Sequence, residues 1–362
     1  MNTSALLTLW YQKNMRDLPW RQVKNPYITW VSEIIMQQTR IAQGLPYFNR
    51  FIEKFPTVEH LANASIDEVL LLWQGLGYYS RARNMHQTAQ TIVTDYEGTF
   101  PKTARQLQKL KGIGEYTAAA ISSFCFNEKV PAIDGNVYRI ISRIYDVQEP
   151  VDKAKGKNLI YNLVSKLLPA QNCGEFNQAL MDFGAMVCTP RQASCNICPL
   201  ALKCQAKFNG TVEERPVKST ITKVRQRYFV YVVVTDGKNI LIQKRDKNDI
   251  WKGLYQLPLF EFEKSMDADT FLALPKVKES QSINSLVLLD GFEPATHKLS
   301  HQTIHAKFLL FGSSRLPQIN GYKSILISNF DAYAFPKLIE RYLNGRLTKI
   351  MKTKIWGSIK SL

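Results

Sequence analysis

Residues 110–143 read LKGIGEYTAAAISSFCFNEKVPAIDGNVYRIISR, and the fold turns on how this stretch is parsed. It opens with a glycine hairpin, Gly112-Ile113-Gly114, which runs into a helix of small residues, Tyr116–Phe126. A short apolar extended piece follows over Val130–Ile133, then Asp134-Gly135-Asn136, then a second helix. Two glycines around an apolar residue leave backbone N–H groups open at a helix entrance, where a phosphate can sit with no side chain in the way. Asp134 falls at the mouth of the next helix, where the helix dipole favours its ionised form. Taken singly, each feature has a plainer reading: a GxG before a helix is commonly a turn, and an Asp before Gly-Asn is commonly an N-cap.

The rest of the chain weighs these readings. A length of 362 residues suits two domains, and 45% hydrophobic residues suffices for packed cores. The 47 Lys and Arg against 30 Asp and Glu give a formal charge of +17, which predicts a polyanionic partner, most simply nucleic acid. No apolar run reaches about 18 residues, and no long basic amphipathic helix with an aromatic underside stands out, so no membrane partner is expected. The first twenty residues read as an amphipathic helix rather than a leader. The expectation is a cytoplasmic, nucleoid-associated monomer whose six cysteines stay out of disulfides.

Residues 1–208 read as almost all helix, with short connections. Asn25-Pro26 starts one helix, carrying Trp30, Val31, Ile34, Ile35 and Met36. Residues 209–226 are polar and charged, and are expected to form a linker. From 227 to 345 the pattern turns to strands. Tyr228–Thr235, a turn at Asp236-Gly237-Lys238-Asn239 and Ile240–Gln243 make a hairpin, and further strands are expected at Leu286–Leu289, Ala306–Phe311 and Ser324–Ile327. Helices are expected at Asp267–Leu274 and Pro336–Leu343, and residues 346–362 read as a flexible basic tail.

Cys188, Cys195, Cys198 and Cys204 are spaced C-x6-C-x2-C-x5-C within one loop-rich segment, 188–204. Four thiols so close in a reducing compartment point to one metal centre. A zinc ribbon uses two CxxC pairs, and only one is present, so the uneven spacing suits a cubane iron–sulfur cluster. Pro190, Arg191, Pro199 and Lys203 make the loop basic, and no flavin or nicotinamide motif accompanies it, which fits a structural cluster on a DNA-facing loop. Cys125 and Cys173 lie among apolar or small neighbours and read as core.

A helix-hairpin-helix, Asp134 one helix further on and this cysteine loop together resemble the endonuclease III superfamily of DNA glycosylases. Within it the chain is similar to the adenine-removing family, through Leu18-Pro19-Trp20-Arg21, Trp30-Val31-Ser32-Glu33 with Gln37-Gln38-Thr39, Gly75–Asn84 and Asp134–Arg139. The resemblance implies an all-α glycosylase domain with one [4Fe-4S] cluster on the four cysteines. It implies double-stranded DNA carrying 8-oxoguanine:adenine or guanine:adenine mispairs as partner. Members with strong strand-nicking activity carry Lys two residues after the second glycine. Tyr116 stands there, so a monofunctional enzyme is implied. Glu33, in an apolar helix that would raise its pKa, is implied as the acid that protonates adenine N7. Asp134 is implied as the ionised carboxylate that stabilises the sugar cation, with Tyr116 and Asn136 as supports. The flipped base implies insertion by Gln38 and Tyr78, pocket contacts from Trp20 and Arg21, and a phosphate grip at Gly112 and Gly114.

The second domain resembles an α+β Nudix-like, MutT-like fold through Trp251–Pro258. The helix bearing R-E-x-x-E-E that would hold Mg²⁺ is missing, and Glu261 and Glu263 stand alone, so the domain is expected to recognise rather than hydrolyse. The family's Phe-Ser-His reader is Leu299-Ser300-His301 here. Ser300 and His301 can still bond a base edge, while the aromatic is lost. His297, His301 and His305 recur every fourth residue, but on a strand and loop they would not share a metal. The competing readings are a pyrimidine glycosylase with lyase activity, opposed by Tyr116 and the second domain, and a non-catalytic iron–sulfur DNA-binding protein, opposed by the pairing of Glu33 with Asp134.

Overall fold

The structure, a computed structural model, describes residues 1–219, 224–246, 248–278 and 286–351. It divides into two compact units, one drawn from Met1–Ala64 and Asn84–Ile221, the other from Ser65–Arg83 and Thr222–Leu362. The helices, in chain order, are α1 (Thr3–Asn14), α2 (Pro26–Met36), α3 (Ile41–Lys54), α4 (Val58–Asn63), α5 (Ile66–Leu72), α6 (Ser80–Tyr96), α7 (Ala104–Leu107), α8 (Glu115–Phe126), α9 (Gly135–Ile144), α10 (Ala154–Leu167), α11 (Cys173–Met186) and α12 (Gln205–Phe208). Among the described residues seven strands follow, β1 (Arg225–Thr235), β2 (Asn239–Lys244), β3 (Tyr255–Gln256), β4 (Leu259–Phe262), β5 (Val287–Lys298), β6 (Gln302–Gly312) and β7 (Lys323–Leu326). Short helices α13 (Ala268–Leu272) and α14 (Pro275–Lys278) precede β5, and α15 (Lys337–Tyr342) and α16 (Thr348–Met351) come last.

The helical unit is built on α9 and α11. Val137, Ile140, Ile141 and Ile144 of α9 meet Phe176, Leu180 and Phe183 of α11, with Leu7 of α1 and Ile160 and Val164 of α10 closing the core. Truncating one such side chain to Ala would cost about 2–5 kcal/mol. The small residues of α8 let its neighbours come close: Ala119 and Ala120 pack with Ala132 and Met181. Gly184 of α11 is required because a Cβ there would stand 2.6 Å from the Cβ of Asn136. Asn177, fully buried, accepts from the Ala132 N–H at 3.2 Å and donates to the Val130 carbonyl at 2.9 Å and to Ser123 Oγ at 3.0 Å. It thereby satisfies the irregular 130–133 chain and sets the approach to Asp134.

Part of the expected linker belongs to this unit. Arg215 is buried and ion-paired with Asp146 at 2.7 Å, the Val151 N–H donates to the Val217 carbonyl at 3.0 Å, and Ser219 bonds Asp152. A buried guanidinium needs its partner, so this piece docks where its polar composition predicted a free tether. Residues 220–223 lie outside the described residues.

The second unit carries the sheet in the order β3-β2-β1-β6-β5, with β4 paired to β1 and β7 to β2. β1 and β6 run parallel from Arg225↔Gln302 to Thr235↔Gly312. The Asp-Gly hairpin forms as expected: Gly237 has φ +91°, and Asp236 Oδ1 accepts from the Lys238 and Asn239 N–H groups at 2.9 and 2.7 Å. Val230, Val232, Val234, Leu309 and Phe311 point to one face, over Phe271 and Val277. On β1, Tyr231 stacks on Phe308, which stacks on Tyr342 of α15. The expected tail does not begin at Arg346: residues 343–351 continue helical from α15, because Leu343, Leu347 and Ile350 are apolar at helical spacing and are buried. The remainder, 352–362, lies outside the described residues.

Candidate active site

Three helices of the helical unit, α2, α8 and α9, bring Glu33, Tyr116, Asp134 and Asn136 to one cavity of about 710 Å³. Helix α2 is fixed at its start by Asn25, whose side chain accepts from the Tyr27 and Ile28 N–H groups at 2.9 and 3.3 Å. Its buried face, Trp30, Val31, Ile34 and Ile35, leaves Glu33 turned toward the cavity. Tyr116, on the first turn of α8, donates its hydroxyl to Glu33 Oε2 at 2.5 Å. Burial raises the Glu33 pKa to about 7; the Tyr116 bond lowers it, the nearby Asp134 charge adds to it and Arg21 subtracts. Burial, then the Glu33 and Asp134 charges, hold the Tyr116 hydroxyl well above its ordinary value, so it stays a donor.

Asp134 is the N-cap of α9. Its Oδ1 accepts from the Val137 N–H at 2.8 Å and its Oδ2 from Asn136 Nδ2 at 2.7 Å. The helix position predicted a depressed pKa. The structure reverses the direction: burial raises it and outweighs the Val137 and Asn136 bonds that pull it down. Local sequence gave the cap but not the walls contributed by other helices.

A second cavity of about 340 Å³ lies against the first, and Trp20, Arg21, Glu33 and Met181 line both. Trp20 is buried edge-on against Phe48. Arg21 is fixed by Asp182, a residue the sequence did not single out. Asp182 is fully buried and accepts from Arg21 at 2.7 and 2.8 Å and from Arg16 at 2.6 and 2.9 Å. Burial opposes its charge, but the two guanidiniums outweigh it and hold the carboxylate below its ordinary range. Cys173 is buried as expected, but Cys125 is not core: it lines the smaller cavity with its thiol 3.3 Å from Thr29 Oγ1. Its neighbours in sequence are apolar, but α8 turns that position toward the opening.

At the hairpin, Gly112 has φ +79°, and a Cβ there would lie 2.7 Å from the Cβ of Asn84. Gly114 is the N-cap of α8 with no side-chain cap, and a Cβ there would meet nothing within 4 Å. Ile113 is buried beneath, its N–H on the Leu110 carbonyl at 3.2 Å, while Gly112 and Gly114 are exposed. Gln38 is exposed at the cavity rim in a left-handed conformation, φ +57°.

Cys188, Cys195, Cys198 and Cys204 line one small apolar-walled cavity with Arg143. Among the described residues no three His, Cys, Asp or Glu converge as they would on a single metal ion. Four thiols lining one cavity are a donor set that fits an iron–sulfur centre. Burial pushes the Cys198 thiol up to about 11, with a backbone N–H pulling it down and the other three thiols adding to the rise. Two buried arginines of α9, one turn apart, tie this loop down. Arg143 donates to the Thr189 and Pro190 carbonyls at 2.7 and 3.1 Å and to Cys188 Sγ at 3.4 Å. Arg139 donates to the Cys188 carbonyl at 2.8 Å and to Asn136 Oδ1 at 2.7 Å. Their i, i+4 spacing was the only sequence signal for this role.

The remaining expected residues lie in the sheet unit. Ser300 and His301 are exposed at the tip of the β5–β6 hairpin, closed by the Leu299 N–H on the Gln302 carbonyl at 2.8 Å. Tyr78, φ +47°, belongs to the same unit and its hydroxyl bonds Ser300 Oγ. Glu261 is not available to a metal: it bonds buried Arg227 at 2.7 Å through both oxygens, beside Asp249. His297 and His305 sit on strands, not on a helix.

Residues 31–166 match the HhH-GPD superfamily of base excision DNA repair proteins, and residues 229–345 match the NUDIX domain. The chain is 36% identical to the adenine DNA glycosylase of Buchnera aphidicola subsp. Acyrthosiphon pisum, over 88% of each chain. It is 39% identical to the Homo sapiens adenine DNA glycosylase, over 56% of this chain and 38% of that one. A thermostable thymine-DNA glycosylase superposes with a TM-score of 0.53 at 25% identity, over 57% of this chain and 95% of that one.

Proposed function

The chain belongs to the adenine DNA glycosylase family, and from that premise we propose that it hydrolyses the N-glycosidic bond of adenine mispaired with 8-oxoguanine or guanine, without a lyase step. The observation that carries the reading is the pair of carboxyls in one cavity with different partners. Glu33 has a proton affinity near neutrality and one hydroxyl donor, while Asp134 has an N–H and an amide to hold its charge.

The flipped adenine enters the smaller cavity, against Trp20 and Arg21, with its sugar toward Asp134. Glu33 gives its proton to N7, the C1′–N9 bond breaks with its electron pair going to the base, and Asp134 faces the sugar cation. Water adds to C1′ and returns a proton, leaving an abasic site. Tyr116 orients Glu33 and offers no amine, so no Schiff base forms. Asn136 orients Asp134. Gly112 and Gly114 present backbone N–H groups to a phosphate. Gln38 and Tyr78 fill the gap in the duplex, and Ser300 and His301 read the 8-oxoguanine edge. The four cysteines would hold one [4Fe-4S] cluster, which serves to set the shape of the 188–204 loop. The enzyme works as a monomer at the nucleoid; no helix among the described residues is long and apolar enough to cross a membrane.

Single-turnover assays on duplexes with 8-oxoguanine:adenine, guanine:adenine or thymine glycol, with and without alkali, test this. Adenine release from the first two, with breaks appearing only after alkali, is expected. Nicking of thymine-glycol DNA without alkali overturns it.

A further inference from the structure

Ser65–Arg83 lies more than 130 residues before the sheet in sequence, yet packs as part of the sheet unit. Its helix α5 is set by a capping box between Ser65 and Glu68. Three polar attachments then fasten it. The Asp67 carboxylate pairs with Lys244 on β2 and accepts from the Tyr255 hydroxyl on β3 at 3.0 Å. The Gln74 side chain accepts from the Phe335 N–H at 3.2 Å. Arg83 donates to the Lys252 carbonyl at 2.7 Å. Lys323 in turn stands 4.2 and 4.1 Å from the Tyr255 and Tyr333 ring centres, which crosses these rings with a second cation.

Between the attachments, the loop is ordered from within. The Gly77 carbonyl accepts from Trp73 Nε1 at 3.1 Å and from Arg81 at 3.2 Å, and the Gly75 N–H donates to the Tyr79 hydroxyl at 3.3 Å. Arg81 also lies 5.7 Å from the Tyr78 ring. At the apex, Tyr78 meets Ser300.

We infer that Asp67 is a positioning residue for lesion recognition: its contacts to Lys244 and Tyr255 register the Tyr78 loop against the Ser300 hairpin, so that wedge and reader act as one element. This rests on Ser300 and His301 reading the lesion, as proposed above. The partners of Asp67 are Lys244 and Tyr255 of the sheet unit, and it is no part of the proposed carboxyl pair, so its loss moves discrimination and not bond cleavage. The tie has two independent strands, one ionic and one to a phenol, and removing Asp67 breaks both.

The test uses the full chain and duplexes with a non-cleavable 2′-fluoro-adenosine opposite 8-oxoguanine or guanine. Asp67→Ala is expected to weaken 8-oxoguanine:adenine binding about tenfold. Guanine:adenine binding and single-turnover adenine release at saturating enzyme are expected to stay within about twofold. Asp67→Glu should restore much of the discrimination, and Tyr255→Phe should lose part of it with the ion pair intact. Equal loss on both duplexes, or Asp67→Ala discriminating as well as the parent, overturns the positioning role alone. A parent enzyme that binds both duplexes equally defeats the lesion-reading itself, and this role with it.

Discussion

The Arg139 guanidinium donates to the carbonyl of Cys188 at 2.8 Å, and through this bond the cysteine loop is joined to the Asp134 carboxylate. The same side chain holds Asn136 Oδ1 at 2.7 Å, and Asn136 holds Asp134 at 2.7 Å. A guanidinium that bridges a loop backbone and a site amide transmits the position of one to the other.

Arg139→Gln should therefore cut single-turnover adenine release by about 10- to 100-fold while duplex affinity changes little. Iron content of the purified variant, read from its visible absorption, should also fall. Unchanged release with full iron content would show that Asp134 needs no such brace.

The pH profile should carry the Glu33 signature. Only the protonated acid can give a proton to the base, so release should fall about tenfold per unit above about pH 7. The Tyr116 hydroxyl favours the ionised carboxylate, so Tyr116→Phe should move this limb to higher pH. On the acid side Asp134 must lose its proton, and because burial raises its pKa, that limb should lie above the ordinary aspartate range. A limb that ignores Tyr116→Phe would assign it to another group.

Asp182→Asn leaves two guanidiniums around an uncharged amide in a fully buried position. Loss of about 3–5 kcal/mol in urea unfolding is expected, since breaking a buried pair strands the surviving charges. Stability within about 0.5 kcal/mol of the parent would contradict the brace.

The two hairpin glycines should separate fold from binding. Gly112→Ala forces a Cβ into Asn84 at a positive φ and should destabilise by more than about 1 kcal/mol. Gly114→Ala meets open space, so thermal stability should hold while DNA affinity falls and its salt dependence weakens. Equal DNA affinity for Gly114→Ala would remove the hairpin from the phosphate contact.

Much of this was legible in the chain itself, where the signal was local. Asn25-Pro26 opened α2, Asp236-Gly237 turned β1 into β2, and the apolar flanks of Glu33 predicted the raised acid that the cavity produces. The direction of the Asp134 shift was not legible, because its cap is written within three residues but its burial comes from helices far along the chain. Asp182 and Asn177 looked like ordinary polar positions of α11; only the packing reveals that one neutralises two arginines and the other pins a strand-like segment. Cys125 looked like core because periodicity reports a helix face, not what that face opens onto.

The interleaving of Ser65–Arg83 with the sheet bears on how the protein is born. That segment leaves the ribosome well before β2 and β3, by an interval on the order of ten seconds at ordinary elongation rates. Until those strands arrive, Asp67 lacks Lys244 and Tyr255, the partners that fasten it in the finished molecule. The segment thus waits with its Asp67, Gln74 and Arg83 ties unmade while the C-terminal helices of the helical unit are synthesised, and it is in this window that chaperones or proteases would find it.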